Sequence, residues 1–124
     1  MAQYEAKVSE ASRELTAREK IRFKDITATV SIDLATSNEP LIIEPIGFAV
    51  IDVHNEKSEN PDYKKYVVEA ADGELYSTGS ESFWKSFMDI YNEMAGEDEK
   101  WQLKIFRKDS NNYKGKQFIT CTIL

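Results

Sequence analysis

The sequence predicts a β-rich α+β domain. Five stretches carry alternating or β-branched apolar residues. One amphipathic helix pattern falls between the third and fourth of them. Glycine, proline and asparagine cluster at the joints. With 124 residues, 41% of them hydrophobic, the chain has the length of one domain and enough apolar mass for one core.

Residues 1–13 are polar without a firm period and read as a loose arm or a short helix start, so that 1–15 is the N-terminal arm and 16–124 the folded domain. Thr16-Ala-Arg-Glu19 has capping-box spacing ahead of Ile21 and Phe23, which predicts a short helix over 16–24. From Ile26 to Leu34, apolar Ile26, Ala28, Val30, Ile32 and Leu34 alternate with Thr27, Thr29, Ser31 and Asp33, predicting a strand. Residues 41–54 are apolar nearly throughout, and Pro45 and Gly47 predict a bend or bulge in this second strand. Residues 64–71 form the third. Asp72-Gly73 predicts a two-residue hairpin turn into a return segment over 74–78.

Ser80 or Ser82 then caps a helix running from Glu81 to Ala95. Phe83, Trp84, Phe87, Met88, Tyr91 and Met94 lie on one side of it, and Gly96 ends it. Residues 101–108 and 116–124 are the last two strands, joined by a polar loop. Five strands with a helix between the third and fourth is the order of an oligonucleotide-binding (OB) barrel. The expected architecture is therefore a five-stranded OB-type barrel plugged by this helix, preceded by the short N-terminal helix. A generic sheet with one packed helix is the alternative.

The net charge of −6 and pI near 4.9 argue against a nucleic-acid binder when taken alone. The distribution is uneven. Residues 101–124 carry Lys104, Arg107, Lys108, Lys114 and Lys116 against Asp109 alone, while 81–100 are strongly acidic. A second basic group, Arg18, Lys20, Arg22 and Lys24, faces only Glu19. Catalysis finds little footing. His54 is the single histidine and Cys121 the single cysteine, so no histidine–cysteine metal cluster can form. There is no glycine-rich phosphate loop. Asp52 and His54 share one face of a strand, a pair more often found where a strand end meets solvent. Neither cofactor nor metal is expected. Cys121, in an apolar run, reads as a reduced, buried small hydrophobe.

The last two strands hold the candidate site. In the fourth, Trp101, Leu103 and Ile105 point one way and Gln102, Lys104, Phe106 and Lys108 the other. In the fifth, Ile119, Cys121 and Ile123 oppose Lys116, Phe118, Thr120, Thr122 and Leu124. Paired, these strands place two phenyl rings and three lysines on one face, and the connecting loop adds Tyr113 and Lys114. Lys64 and Tyr66 form a weaker stripe on the third strand, with Tyr76 after the turn. Rings that stack on bases, set among lysines that neutralise phosphates, suit single-stranded DNA. Equally, Phe106 and Phe118 could pack beneath the N-terminal helix against Ile21 and Phe23.

The segment "VVEAADGELYS" at 67–77, the helix from Glu81 and the closing "KGKQFITCTIL" resemble the single-stranded-DNA-binding proteins of small tailed phages that replicate by protein priming. The resemblance spans roughly residues 44–124. It implies a short, acidic OB-fold protein that binds single-stranded DNA without sequence preference and stacks bases on tyrosine, here Tyr76. Where those proteins have a tyrosine late in the second strand, this chain reads "AVIDVHNEK", with only the imidazole of His54. The helix at 16–24 has no counterpart in them. The chain is also similar in character to small replication proteins of Gram-positive mobile elements. The expected setting is phage or mobile-element DNA replication in the bacterial cytoplasm, with no membrane partner; homo-oligomerisation is compatible with the sequence. A protein-interaction module, such as a host-protein inhibitor using the acidic "GEDEK" segment, is the competing reading.

Overall fold

The structure, a computed structural model, describes residues 4–57, 59–109 and 115–124. In chain order the elements are β1 (Tyr4–Ala11), α1 (Ala17–Lys24), a 3₁₀ turn (Ile26–Ala28), β2 (Val30–Ser31), α2 (Ile32–Ala35), β3 (Leu41–Ile43), β4 (Pro45–Asn55), β5 (Asp62–Ala70), β6 (Leu75–Thr78), α3 (Glu81–Met94), β7 (Leu103–Asp109) and β8 (Gln117–Ile123). They make a β-rich α+β fold of two sheets. The larger has the order β1-β4-β5-β6-β2 and the smaller β3-β7-β8.

The apolar run 41–54 forms both β3 and β4, so one bent stretch of chain belongs to both sheets. The bend falls where the sequence places Pro45 and Gly47, and the β4–β5 register shifts between them. A Cβ at position 47 would come within 2.8 Å of Ser12 Oγ, so a larger residue there would displace the serine side chain from this crossing. Ser12 Oγ in turn accepts a hydrogen bond from the Phe48 N–H at 2.9 Å.

Alternation along β4 and β5 gives the larger sheet two apolar faces. Ala49, Ile51, Val53, Val67 and Leu75 pack with Leu15 and Phe23, so α1 covers one face. Phe48, Val68, Ala70 and Tyr76 pack on the other with Phe83 and Phe87 of α3 and Leu103, Ile105, Ile119 and Cys121 of the smaller sheet. Phe83 and Phe87 are fully buried, and truncating either to alanine would cost about 3–5 kcal/mol. Both expected helices form. Thr16 and Glu19 make the reciprocal capping box of α1, and the Ser80 hydroxyl accepts from the Phe83 N–H to start α3.

Four expectations are corrected. The barrel is not closed: read through the bend, the strands run β8-β7-β3/β4-β5-β6, and closing them would require β6 to pair with β8. Instead β6 pairs in parallel with β2, and the wall stays open. The strand expected over 26–34 is mostly absent. Asp25 Oδ1 accepts from both the N–H and the hydroxyl of Thr27, and Ser31 Oγ accepts from the Leu34 N–H to cap α2. These local bonds offer the backbone an alternative to a sheet ladder. Only Val30–Ser31 extends, and Ile32 is fully buried from a helical turn.

The N-terminal arm, by contrast, is largely strand. Tyr4–Ala11 pairs antiparallel with β4, with Ser9 as an extra residue between Val8 and Glu10. That bulge resets the alternation, so Ala6, Val8 and Ala11 all lean on the α1-side core despite their uneven spacing. The Asp-Gly hairpin has three loop residues, not two. Ala70 and Glu74 bracket it, and Gly73 takes a φ of 91°, the glycine-at-left-handed form of a three-residue loop. Among the described residues, no helix is long and apolar enough to cross a membrane.

Candidate nucleic-acid interface

The buried positions of β7, Leu103 and Ile105, face the core, which turns Lys104, Phe106 and Lys108 to the opposite side. Across β8 the partners are Thr122 for Lys104, Thr120 for Phe106 and Phe118 for Lys108. Ile42 of β3 stands opposite Lys104 on the other flank. The outer face of the smaller sheet therefore carries the two phenyl rings and two of the three lysines expected there, Lys116 falling just ahead of β8. Phe118 is 36% exposed and Ile42 52%; Phe106 and Lys104 are half-buried and Lys108 is exposed.

The Lys104 ammonium lies 5.7 Å from the centre of the Phe106 ring, within cation–π range. Among the described residues, no carboxylate forms an ion pair with Lys104 or Lys108. Lys116 is exposed at the entrance to β8. Tyr113 and Lys114 lie outside the described residues. The two phenylalanines do not pack beneath α1: Phe23 belongs to the core on the far face of the larger sheet, and Ile21 is 67% exposed.

The remaining candidates are elsewhere. Tyr66 and Tyr76 are buried, at 6% and 8% exposure, so neither ring is open to a base. Tyr66 stacks on Trp84 with centroids 4.7 Å apart, and Tyr76 sits in the core between the sheets. Burial raises the pKa of both hydroxyls. Their strand position, not an outward face, explains their residue type. Lys64 is exposed, but on the larger sheet, where its ammonium meets Asp52 Oδ1 at 3.1 Å.

Lys64 borders a cleft of about 710 Å³ at the open end of that sheet, also lined by Glu5, Lys7, Asp52, His54, Asp62 and Glu81. The mixture of signs there does not favour a phosphate chain. Asp52 and His54 share a face as expected but engage other partners. His54 Nδ1 lies 2.6 Å from Asp62 Oδ1, and that bond is the main cause of its raised pKa. Among the described residues, no group of three or more potential ligands could hold a metal ion. Cys121 is buried, and desolvation pushes its thiol up to about 12, so it carries little thiolate.

Sequence reasoning missed Ile42 as a member of the outer face. The alternation Leu41, Ile42, Ile43 hides its orientation, because all three residues are apolar; only the pairing with β7 shows which one turns outward. Comparison with protein-family models, curated proteins and solved structures finds no match to this chain.

Proposed function

We propose that this protein binds single-stranded DNA without sequence preference on the outer face of the β3–β7–β8 sheet, in phage or mobile-element DNA replication. The observation that carries this reading is the placement of Phe106 and Phe118 on one accessible face with Lys104 and Lys108. Bases exposed on a single strand stack on such rings for about 1–3 kcal/mol each. The lysines neutralise phosphates along the same path, whereas duplex DNA would leave the rings idle. The apolar side of the face also disfavours a bare solvent role.

The strand connectivity supports an OB-type ancestry for the scaffold. A bent strand shared by two sheets is followed by two strands, a plugging helix and a closing hairpin. OB barrels are partly open; here the gap lies between β6 and β8, and residues 30–35 occupy the β6 side of it. Lys104, Phe106, Lys108 and Phe118 form the contact, with Lys116 beside them ahead of β8. Tyr66, Tyr76 and Lys64 are removed from it.

Fluorescence anisotropy of labelled oligo(dT) tests the reading directly. Binding should weaken with salt with a log–log slope near −0.7 per phosphate neutralised, and single strands should bind in preference to duplex of equal length. No binding at low salt, or equal binding to duplex, would overturn it. The second reading rests on the exposed run Glu97, Asp98 and Glu99 after α3, which suits a basic protein partner; a partner recovered from host lysate after nuclease treatment would favour it.

A further inference from the structure

We infer that β1 is a dimerisation edge, and that its partner is β1 of a second copy, aligned antiparallel with Ala6 opposite Ala6. β1 ends the larger sheet, and among the described residues no strand covers its outer side. Such an edge presents unpaired N–H and C=O groups that template pairing with another chain. Charge decides which chain and which register.

On the cleft face of the larger sheet, charges alternate across strands in two adjacent rows. One row reads Lys7 on β1, Asp52 on β4 and Lys64 on β5. The other reads Glu5 on β1, His54 on β4 and Asp62 on β5. When the His54 imidazole is protonated, positive and negative positions change places both along and across the strands; Lys64 pairs with Asp52 and His54 bonds Asp62 within the rows. Glu5 and Lys7, at the outer end of each row, are both exposed.

A twofold axis perpendicular to the sheet keeps each face on its own side and pairs residues whose numbers are both odd or both even. Within Tyr4–Val8, three such registers keep a useful overlap. Centring the axis on Glu5 opposes two carboxylates, and centring it on Lys7 opposes two ammonium groups. Centring it on Ala6 sets Glu5 of each copy against Lys7 of the other. The row ending in Lys7 then continues into the partner's Glu5 row, and with His54 protonated the alternation of charge runs across six strands. On the opposite face the same register sets Tyr4, 50% exposed, against Val8, with the two Ala6 side chains between them. Directly opposed charges of opposite sign and aromatic–β-branched pairs are the contacts that favour strand pairing. The product is a twofold dimer with one continuous sheet. It does not depend on DNA binding.

Sedimentation velocity of the full chain without DNA tests the inference across a concentration series. The wild type should move from monomer to dimer, less readily at high salt. Glu5→Lys alone and Lys7→Glu alone each oppose like charges at both symmetric positions, and each should weaken association about tenfold or more. An equimolar mixture of the two variants should associate at least as well as the wild type, because every opposed pair is again of unlike sign. A misfolded variant could not be rescued in this way. As a second measure, Ala6→Cys should form an interchain disulfide on mild oxidation, and Ala6→Cys with Lys7→Glu should not; Cys121 is buried and does not compete. A wild type that stays monomeric, a mixture no better than its components, or an Ala6→Cys chain that does not cross-link would overturn the inference.

Discussion

The outer face of the β3–β7–β8 sheet and the open end of the larger sheet are both paved with charged side chains on strands, yet they are built differently. At the open end each lysine stands opposite a carboxylate, Lys7 and Lys64 flanking Asp52. The neighbouring aromatic residue, Tyr66, is withdrawn into a stack with Trp84. On the outer face, Lys104 and Lys108 stand opposite Thr122 and Phe118, and the aromatic residues stay at the surface. A lysine already facing a carboxylate within its own sheet has little net charge to offer a phosphate, and a buried ring has no face to offer a base. On the proposed reading, the position of counter-charges within the sheet therefore separates the surface offered to a polyanion from the one that is not. Net charge does not make that distinction.

The most severe way to probe this contrast is to truncate one ring on each side of it. Tyr66→Ala removes a buried side chain and its stack, and should destabilise the fold by about 3–5 kcal/mol in denaturant unfolding. Tyr66→Phe should leave oligo(dT) affinity unchanged. Phe106→Ala or Phe118→Ala should behave in the opposite sense. Each should lose about 1–3 kcal/mol of oligo(dT) affinity in anisotropy titrations, and the exposed Phe118 should cost the fold little. Equal affinity losses for Tyr66→Phe and Phe118→Ala would erase the distinction between the two faces. A smaller effect separates the lysines. Lys104→Gln and Lys108→Gln should each make the salt dependence shallower by about 0.7 in slope, whereas Lys64→Gln should not change it.

These contrasts also show which features were legible in the sequence. The helices were readable because their signals are local: Thr16 with Glu19, and Ser80 ahead of an aromatic face, determine their own boundaries. The hairpin face was readable because β7 and β8 are adjacent and strictly alternating, so Leu103 and Ile105 orient Lys104 and Phe106 without further information. Ile26–Leu34 misled because its polar positions, Thr27, Ser31 and Asp33, look like the solvent side of a strand while acting as turn and capping groups. Tyr66 and Tyr76 misled because a strand buried on both faces hides which side is covered. α1 covers one face and α3 the other, and neither contact is local. The open wall could not be foreseen, since it depends on β2 taking the place beside β6 that a closing strand would need.

The mildest prediction concerns the histidine at the open end, where the charge pattern acts on the protein itself. His54 faces Asp62 through Nδ1 at 2.6 Å and Glu56 through Nε2 at 3.6 Å, and Glu5 stands opposite it on β1. Lys64 and Lys7 lie in the adjacent row and oppose a positive imidazole. The carboxylates prevail, Asp62 foremost, and the folded-state pKa is raised above the ordinary 6.5. A raised pKa means the folded state binds the proton more tightly than the unfolded chain. The resulting stabilisation is fully present below pH 6.5 and is lost as pH rises through the folded-state value. Because the imidazole is exposed, the effect on unfolding should be small, and the sharper measurement is an NMR titration of the ring. The wild-type midpoint should lie above 6.5, and Asp62→Asn should bring it down toward the ordinary value. A midpoint unchanged by Asp62→Asn would mean that the alternating rows do not act on the groups within them, and the electrostatic contrast between the two faces would lose its basis.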